Sequence, residues 1–253
     1  MFKELANVVK ITNSRHVFKA VTSPVHTFEK FKYHYRRVSE RDFVDFFAKG
    51  FGYSAKTIDR LYDDLDNNSS LWQGISGKLS IYPNNYALQM TKELSALYLL
   101  VRLVQPNRMV ETGVSAGASS AYILSAMEDN NRGKLYSIDL PPDNLPKAKS
   151  VGWVVPDHLK KRWSLRIGNA LDLLEPLLFE IGTIDCFVHD SLHTYEHMSW
   201  EFNMAWKYLR PKGLFLSHDV GANEAFFDFM SEKGISWKDY RVFHVLGALQ
   251  KPR

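Results

Sequence analysis

Cysteine is almost absent from this chain of 253 residues. Cys186 stands alone, so no intramolecular disulfide can form and a reducing, cytoplasmic setting is the default expectation. Long apolar runs are missing too: none approaches the roughly 18 residues a spanning helix needs, which excludes a transmembrane segment. The start, Met1-Phe2-Lys3-Glu4-Leu5, lacks the basic-then-apolar order of a secretory signal. Low-complexity tracts, internal repeats and long linkers are not found. With 45% hydrophobic and 24% charged residues, the composition excludes disordered and collagen-like classes and leaves a globular enzyme-sized unit with a sizeable core.

Charge of one sign is scarce except at one end. Residues 1–60 carry 12 Lys and Arg against 6 Asp and Glu, so the net charge of +4 belongs to that quarter. Its densest stretch, Lys30-Phe31-Lys32-Tyr33-His34-Tyr35-Arg36-Arg37, interleaves cations with aromatics. That composition serves phosphate binding and base stacking, or an amphipathic segment with aromatics inward and charges solvated.

The pattern of elements changes near residue 80. Before it the chain reads as helices: Arg41 to Lys49 with Gly50 following, and a helix capped by Ser54 that carries Ile58, Leu61, Tyr62 and Leu65 as an apolar stripe. A long helix is expected from Asn84 or Asn85 to about Val104, through Leu94, Leu97, Leu100 and Val101, ending before Pro106. From Arg108 onward, short apolar runs alternate with helical patterns, as in βαβ units. Strands are predicted at Met109–Thr112, Leu135–Asp139, Leu165–Ile167, Ile184–His189, Gly213–Ser217, Val242–Val245 and Ala248–Gln250. Helices are predicted near Ser119–Glu128, Pro156–Arg162, Leu171–Phe179, Tyr195–Leu209 and Asn223–Glu232. Leu246-Gly247 would turn the last two strands into a hairpin. The expected fold is therefore α/β: a Rossmann-like, doubly wound, mostly parallel seven-stranded sheet with one antiparallel strand. A helical cap (1–80) would precede this sheet domain (81–253).

In such a sheet ligands bind at the carboxyl ends of the strands, and the first strand-to-helix turn is the cofactor cradle. Here it is Glu111-Thr112-Gly113-Val114-Ser115-Ala116-Gly117. Gly113 and Gly117 permit a tight turn and close backbone approach, while the helix start offers unpaired N–H groups. Ser115 stands where a dinucleotide fingerprint needs its second glycine, and no Tyr-x-x-x-Lys dyad follows, which disfavours a nicotinamide oxidoreductase. Asp139 ends the next strand, where a carboxylate can accept both hydroxyl hydrogens of a ribose or cap the chain before Pro141-Pro142. Asn169, ending the third strand, either reads an adenine edge or caps the following helix.

Taken together, Val110-Glu111-Thr112-Gly113, Ser137-Ile138-Asp139, the string Phe187-Val188-His189-Asp190-Ser191-Leu192-His193-Thr194-Tyr195-Glu196, Leu209-Arg210-Pro211-Lys212-Gly213 and Leu216-Ser217-His218-Asp219-Val220 resemble the class I S-adenosylmethionine-dependent methyltransferases. The closer likeness is to the branch of macrocin-type sugar O-methyltransferases and cephalosporin-hydroxylase-like proteins, over about residues 80 to 253. The resemblance implies that Glu111, Gly113, Ser115 and Gly117 hold the methionine end of the cofactor, with Asp190 beyond them, Asp139 the ribose, and that Asn169 lies beside the adenine.

The same resemblance draws Asp190, His218 and Asp219 together at the ends of the fourth and fifth strands. Two carboxylates and an imidazole suit a divalent cation; Mg²⁺ favours all-oxygen ligands, and the imidazole admits Mn²⁺, Fe²⁺ or Zn²⁺. Relatives often carry an acidic pair where this chain has His218-Asp219. The other reading makes Asp190 and Asp219 strand-end residues bonded to loop amides, with His218 lining a substrate pocket. His193 is the general-base candidate because its unperturbed pKa is near neutral, and Asp190 joins it as a catalytic candidate. His197 reads as packed or solvated, and His189 and Cys186 as structural. The segment Pro141–Pro156 is long for a βα connection and reads as a lid or substrate wall.

The functional expectation is methyl transfer from S-adenosylmethionine to an oxygen of a small-molecule or sugar-type acceptor, aided by a divalent metal; a homo-oligomer is compatible with it. The alternatives are a nucleic-acid methyltransferase using the basic N-terminal segment, and a non-catalytic binding protein that keeps the fold.

Overall fold

The computed structural model describes residues 37–80, 91–141, 149–236 and 238–253. The basic aromatic stretch up to Arg36, the expected helix start at Asn84 or Asn85, and Pro142 with the first part of the long connection lie outside them. Residues 38–253 form one compact unit.

Three helices open it: α1 (Glu40–Gly50), α2 (Ala55–Asn67) and α3 (Ser69–Leu79). Ser39 and Ser54 start the first two by accepting the backbone N–H of Asp42 and Thr57, which satisfies donors that a helix N-terminus leaves over. The α1 stripe Phe43, Val44, Phe47 and Ala48 is buried, and Phe43 meets Phe243 with ring centroids 6.0 Å apart. Helix α3 had no sequence signal, because its Ser and Gly residues blur the helical stripe.

Then come α4 (Thr91–Val104), β1 (Arg108–Thr112), α5 (Ala118–Asp129), β2 (Lys134–Asp139), β3 (Trp163–Ile167), α6 (Ala170–Ile181), β4 (Ile184–His189), α7 (Tyr195–Tyr208), β5 (Leu209–Ser217), α8 (Ala225–Glu232), β6 (Tyr240–Phe243) and β7 (Leu246–Gln250). The strands form one seven-stranded sheet in the order β3-β2-β1-β4-β5-β7-β6. All pairings are parallel except those of β7, which runs antiparallel to both β5 and β6. The doubly wound sheet with one antiparallel strand is as expected. Three local readings shift. The hairpin turns at His244-Val245 rather than at Leu246-Gly247, with His244 at φ 58°, and Gly247 lies inside β7. The segment near Pro156–Arg162 is a 3₁₀ turn over Asp157–Arg162 rather than an α-helix. The third and fifth strands start earlier than their apolar runs, at Trp163 and Leu209.

Alternation along the strands splits the core between two faces. Met109, Leu135, Cys186, Val188, Leu214 and Leu216 pack with α4 and α5 in one cluster. On the other face Phe215 meets Phe187 beside it, Phe202 of α7 edge-on and Phe229 of α8 in a stack. Among the described residues no helix is long and apolar enough to cross a membrane.

Candidate active site

The carboxyl ends of four neighbouring strands are zipped by backbone bonds beyond the ladder: Gly113 N–H to Ile138, Gly168 N–H to Asp139, Asp190 N–H to Thr112 and His218 N–H to His189. These bonds hold the strand ends that carry Gly113, Asp139, Asp190 and His218 side by side along one edge of the sheet.

On the β1–β2 side the glycine turn is held by its own chain. Gly113 sits at φ +86°, and a Cβ there would lie 2.0 Å from the Asp190 carbonyl oxygen. Gly117, at φ +96°, packs against Gly152, so its missing side chain serves contact with the long connection. That connection donates Gly152 N–H to Ser115 O (2.9 Å) and Val154 N–H to Ala116 O (3.0 Å). The part of it that is described is therefore a wall against the turn. Ser115 takes φ 51° without being glycine. Its N–H and that of Val114 donate to the two oxygens of Asp139, at 3.1 and 3.2 Å, so this carboxylate braces the turn from the end of β2. Burial raises the Asp139 pKa, against the two amide donors. Asn169 caps α6 by accepting the Leu171 N–H at 3.0 Å. Leu140 and Leu171, both exposed, stand next to Asp139 and Asn169.

Glu111 points to the α5 face and is fully buried. Ser119, Ser120 and Ser137 hydroxyls donate to it at 2.6, 2.6 and 2.7 Å. Burial pushes its pKa up to about 7 in spite of those donors. The next residue, Thr112, faces the other way and donates to Glu201 of α7 at 2.6 Å.

Glu201 is the centre of a network that sequence reasoning missed. Its carboxylate is wholly buried and also takes bonds from His189 Nδ1 (2.6 Å), His197 Nε2 (2.9 Å) and the Ser191 hydroxyl (2.9 Å). Burial alone would raise its pKa, but these donors outweigh it and bring it down to about 2. The available signal was a glutamate on the apolar stripe of α7, one turn after His197 and beside Phe202. His197 is accordingly packed, not solvated.

The β4–β5 side gathers Asp190, His193, His218 and Asp219. His218 Nδ1 lies 3.1 Å from Asp190 Oδ1 and 3.5 Å from Asp219 Oδ2, while His193 Nε2 lies 3.6 and 3.9 Å from the same two oxygens. Asp190, His193 and His218 each offer one ligand atom within 4.8 Å of the others. Asp219, at φ 48°, sits at the rim of that group. Burial disfavours the charged form of His218, but Asp190 and then Asp219 outweigh it and push its pKa up to about 10. For His193 burial wins over Asp190, and its pKa falls below the usual histidine value. Among the described residues, His193 Nε2 and His218 Nε2 are buried without a hydrogen-bond partner, and His218 Nδ1 has only its close approach to the two carboxylates. Unsatisfied nitrogens of this kind are rare in a finished core and common where a ligand completes the set. Cys186 is buried on the α4 and α5 face, where burial pushes its thiol pKa far up, so it is unreactive.

A pocket joins the two sides. Glu93 and Leu97 of α4, Glu111, Asp190, His218 and Leu246 are among its walls.

Residues 110–220 match the model of a methyltransferase domain. A comparison with curated proteins finds no match. Among solved structures, the chain is similar to a methyltransferase of Podospora anserina bound to S-adenosylhomocysteine (TM-score 0.55, 14% identity, 79% of this chain and 97% of that one). A putative O-methyltransferase from Klebsiella pneumoniae is similar too (TM-score 0.52, 17% identity, 83% and 96%). So is the O-methyltransferase TomG of Streptomyces achromogenes, involved in tomaymycin synthesis and solved with S-adenosylmethionine (TM-score 0.52, 19% identity, 70% and 89%). The sheet order and the domain match agree: residues 110–220 correspond to a methyltransferase domain, and the chain shares its fold with these structures.

Proposed function

We propose that the protein moves the methyl group of S-adenosylmethionine to a hydroxyl oxygen of a small-molecule or sugar-type acceptor. One observation carries this reading: Glu111 and Ser119, which flank the braced glycine turn, line one pocket with Asp190 and His218 of the His/Asp cluster. The residues fit the cofactor. Glu93 and Asp190 stand at the pocket walls as acidic partners for a ligand with a sulfonium and an ammonium charge. Asp139 keeps lone pairs for ribose hydroxyls while bracing the turn, and exposed Leu140 and Leu171 offer apolar surface for a purine.

When bound, the cofactor supplies an electrophilic methyl group whose leaving group is a neutral thioether. His193 is the base: its depressed pKa keeps the ring neutral near pH 7, and its Nε2 is buried without a hydrogen-bond partner among the described residues, beside the pocket residue Asp190. As the acceptor oxygen forms its bond to the methyl carbon, the carbon–sulfur bond breaks with its electron pair going to sulfur. The hydroxyl proton passes to His193, with the Asp190 carboxylate 3.6 Å away to stabilise the resulting imidazolium.

A second use of the same side chains is favoured by the donor geometry. Asp190, His193 and His218 would hold a divalent cation, with Asp219 at the rim, and two imidazoles favour Mn²⁺, Fe²⁺ or Zn²⁺ over Mg²⁺. Bound there, such an ion lowers the pKa of a coordinated hydroxyl. Calorimetry decides the main reading: S-adenosylmethionine should bind the full chain, and absence of binding overturns it. Turnover that survives a chelator leaves His193 as the base; chelator-sensitive turnover restored by Mn²⁺ or Zn²⁺ assigns it to the metal. The nucleic-acid alternative rests on residues 30–37, which lie outside the described structure save Arg37.

A further inference from the structure

Glu93 is the third carboxylate of the pocket, and the only one delivered from outside the strand ends. It sits near the start of α4 on the same stripe as Leu97, and its side chain is 5% exposed. A carboxylate so deeply buried requires partners for both oxygens. One oxygen has such a partner: Oε1 meets His244 Nδ1, at the β6–β7 turn, at 2.5 Å. The other, Oε2, is buried with no hydrogen-bond partner among the described residues. Glu93 lines the pocket together with Glu111 and Ser119 of the glycine turn and with Asp190 and His218 across from them. No Lys or Arg lines this pocket among the described residues; Glu111 is satisfied by three hydroxyls and Asp190 pairs with His218, which leaves Glu93 Oε2 as the unanswered carboxylate oxygen at its wall.

We propose that Glu93 is a cofactor-binding residue whose free oxygen takes a cationic group of the methyl donor, its α-ammonium or its sulfonium. The inference rests on the methyl-donor reading above. The donor rather than the acceptor is the occupant because Glu111 and Ser119, which line the same pocket as Glu93, belong to the glycine turn and the helix it starts. His244 is then a positioning residue: it satisfies Oε1 from the hairpin and leaves Oε2 directed to the ligand.

The test is calorimetry on the full chain with S-adenosylmethionine, which carries both cations, and S-adenosylhomocysteine, which keeps only the ammonium. Loss of one charge-assisted bond weakens binding about tenfold or more. Glu93→Gln should weaken S-adenosylmethionine by at least that factor. A matching loss for S-adenosylhomocysteine assigns Oε2 to the ammonium, and a loss confined to S-adenosylmethionine assigns it to the sulfonium. Glu93→Asp, which keeps the charge on a shorter arm, provides the same comparison where Glu93→Gln does not fold. Wild-type binding with unchanged affinity in a folded Glu93 variant overturns the proposal alone. Absence of binding by the wild type removes the methyl-donor reading and this proposal with it.

Discussion

The two halves of the candidate site are built to opposite rules. On the β1–β2 side the carboxylates and the turn have internal partners: Asp139 takes two turn amides, Glu111 takes three hydroxyls, and the connection after β2 bonds to the turn carbonyls. On the β4–β5 side, His193 and His218 keep buried ring nitrogens with no hydrogen bond. The first half is pre-organised by its own backbone, which suits a cofactor of fixed shape. The second is left to be completed from outside, where the acceptor or a cation would enter. Pre-organisation of this sort lowers the reorganisation needed at the moment of reaction, and the unsatisfied groups concentrate where specificity is set.

Glu201 is where the second half is anchored, and removing it is the strongest way to break the contrast. Glu201→Ala leaves His189, His197, Thr112 and Ser191 without their common acceptor inside the core. A loss of roughly 3–5 kcal/mol is expected in urea unfolding, because partners of a buried charge become orphans. The same carboxylate gives an acid limb. Its pKa is held at about 2 in the folded protein against an ordinary 4.5, so its stabilisation is complete above about pH 4.5 and declines as pH falls toward 2.

The link between the halves is Gly113, which touches the Asp190 carbonyl directly. Gly113→Ala puts a Cβ 2.0 Å from that oxygen at φ +86°. The neighbour is backbone and cannot rotate away. Left-handed strain and overpacking together predict about 3 kcal/mol of destabilisation in the same unfolding assay. A variant that folds with wild-type stability would show that the two halves are not rigidly coupled.

Most of the fold was legible because apolar periodicity marks strands and helices directly, and β4 appears with the bounds read from Ile184 to His189. The hairpin turn was misplaced because the positive φ falls on His244, a residue type that rarely advertises it, while Gly247 drew attention inside a strand. At the site, residue identity was readable and partnership was not. Asp139 looks like a ribose ligand in one dimension, and its double bond to the Val114 and Ser115 amides depends on a fold that brings strand ends together. Glu93 and Glu201 were hidden for the converse reason: a glutamate on a helix is ordinarily solvated, and only its position on the buried stripe distinguishes these two.

The smallest effect separates the halves by pH. Glu111 has its pKa raised to about 7 from 4.5, because burial penalises the carboxylate more than three hydroxyls stabilise it. Between those values the folded protein keeps a proton that the unfolded chain has released. Stability therefore falls as pH rises from about 4.5 to 7 and levels off above, the reverse of the Glu201 limb. Glu111→Gln keeps the shape, and a serine hydroxyl can turn to accept from the amide. The variant should lose the slope in that window and exceed the wild type by about 1–3 kcal/mol at pH 8, with little difference near pH 4. Unfolding curves at the two pH values decide it. An unchanged slope in Glu111→Gln would mean that the carboxylate is already charged in the folded turn, so that the cofactor half carries a full negative charge before any ligand arrives.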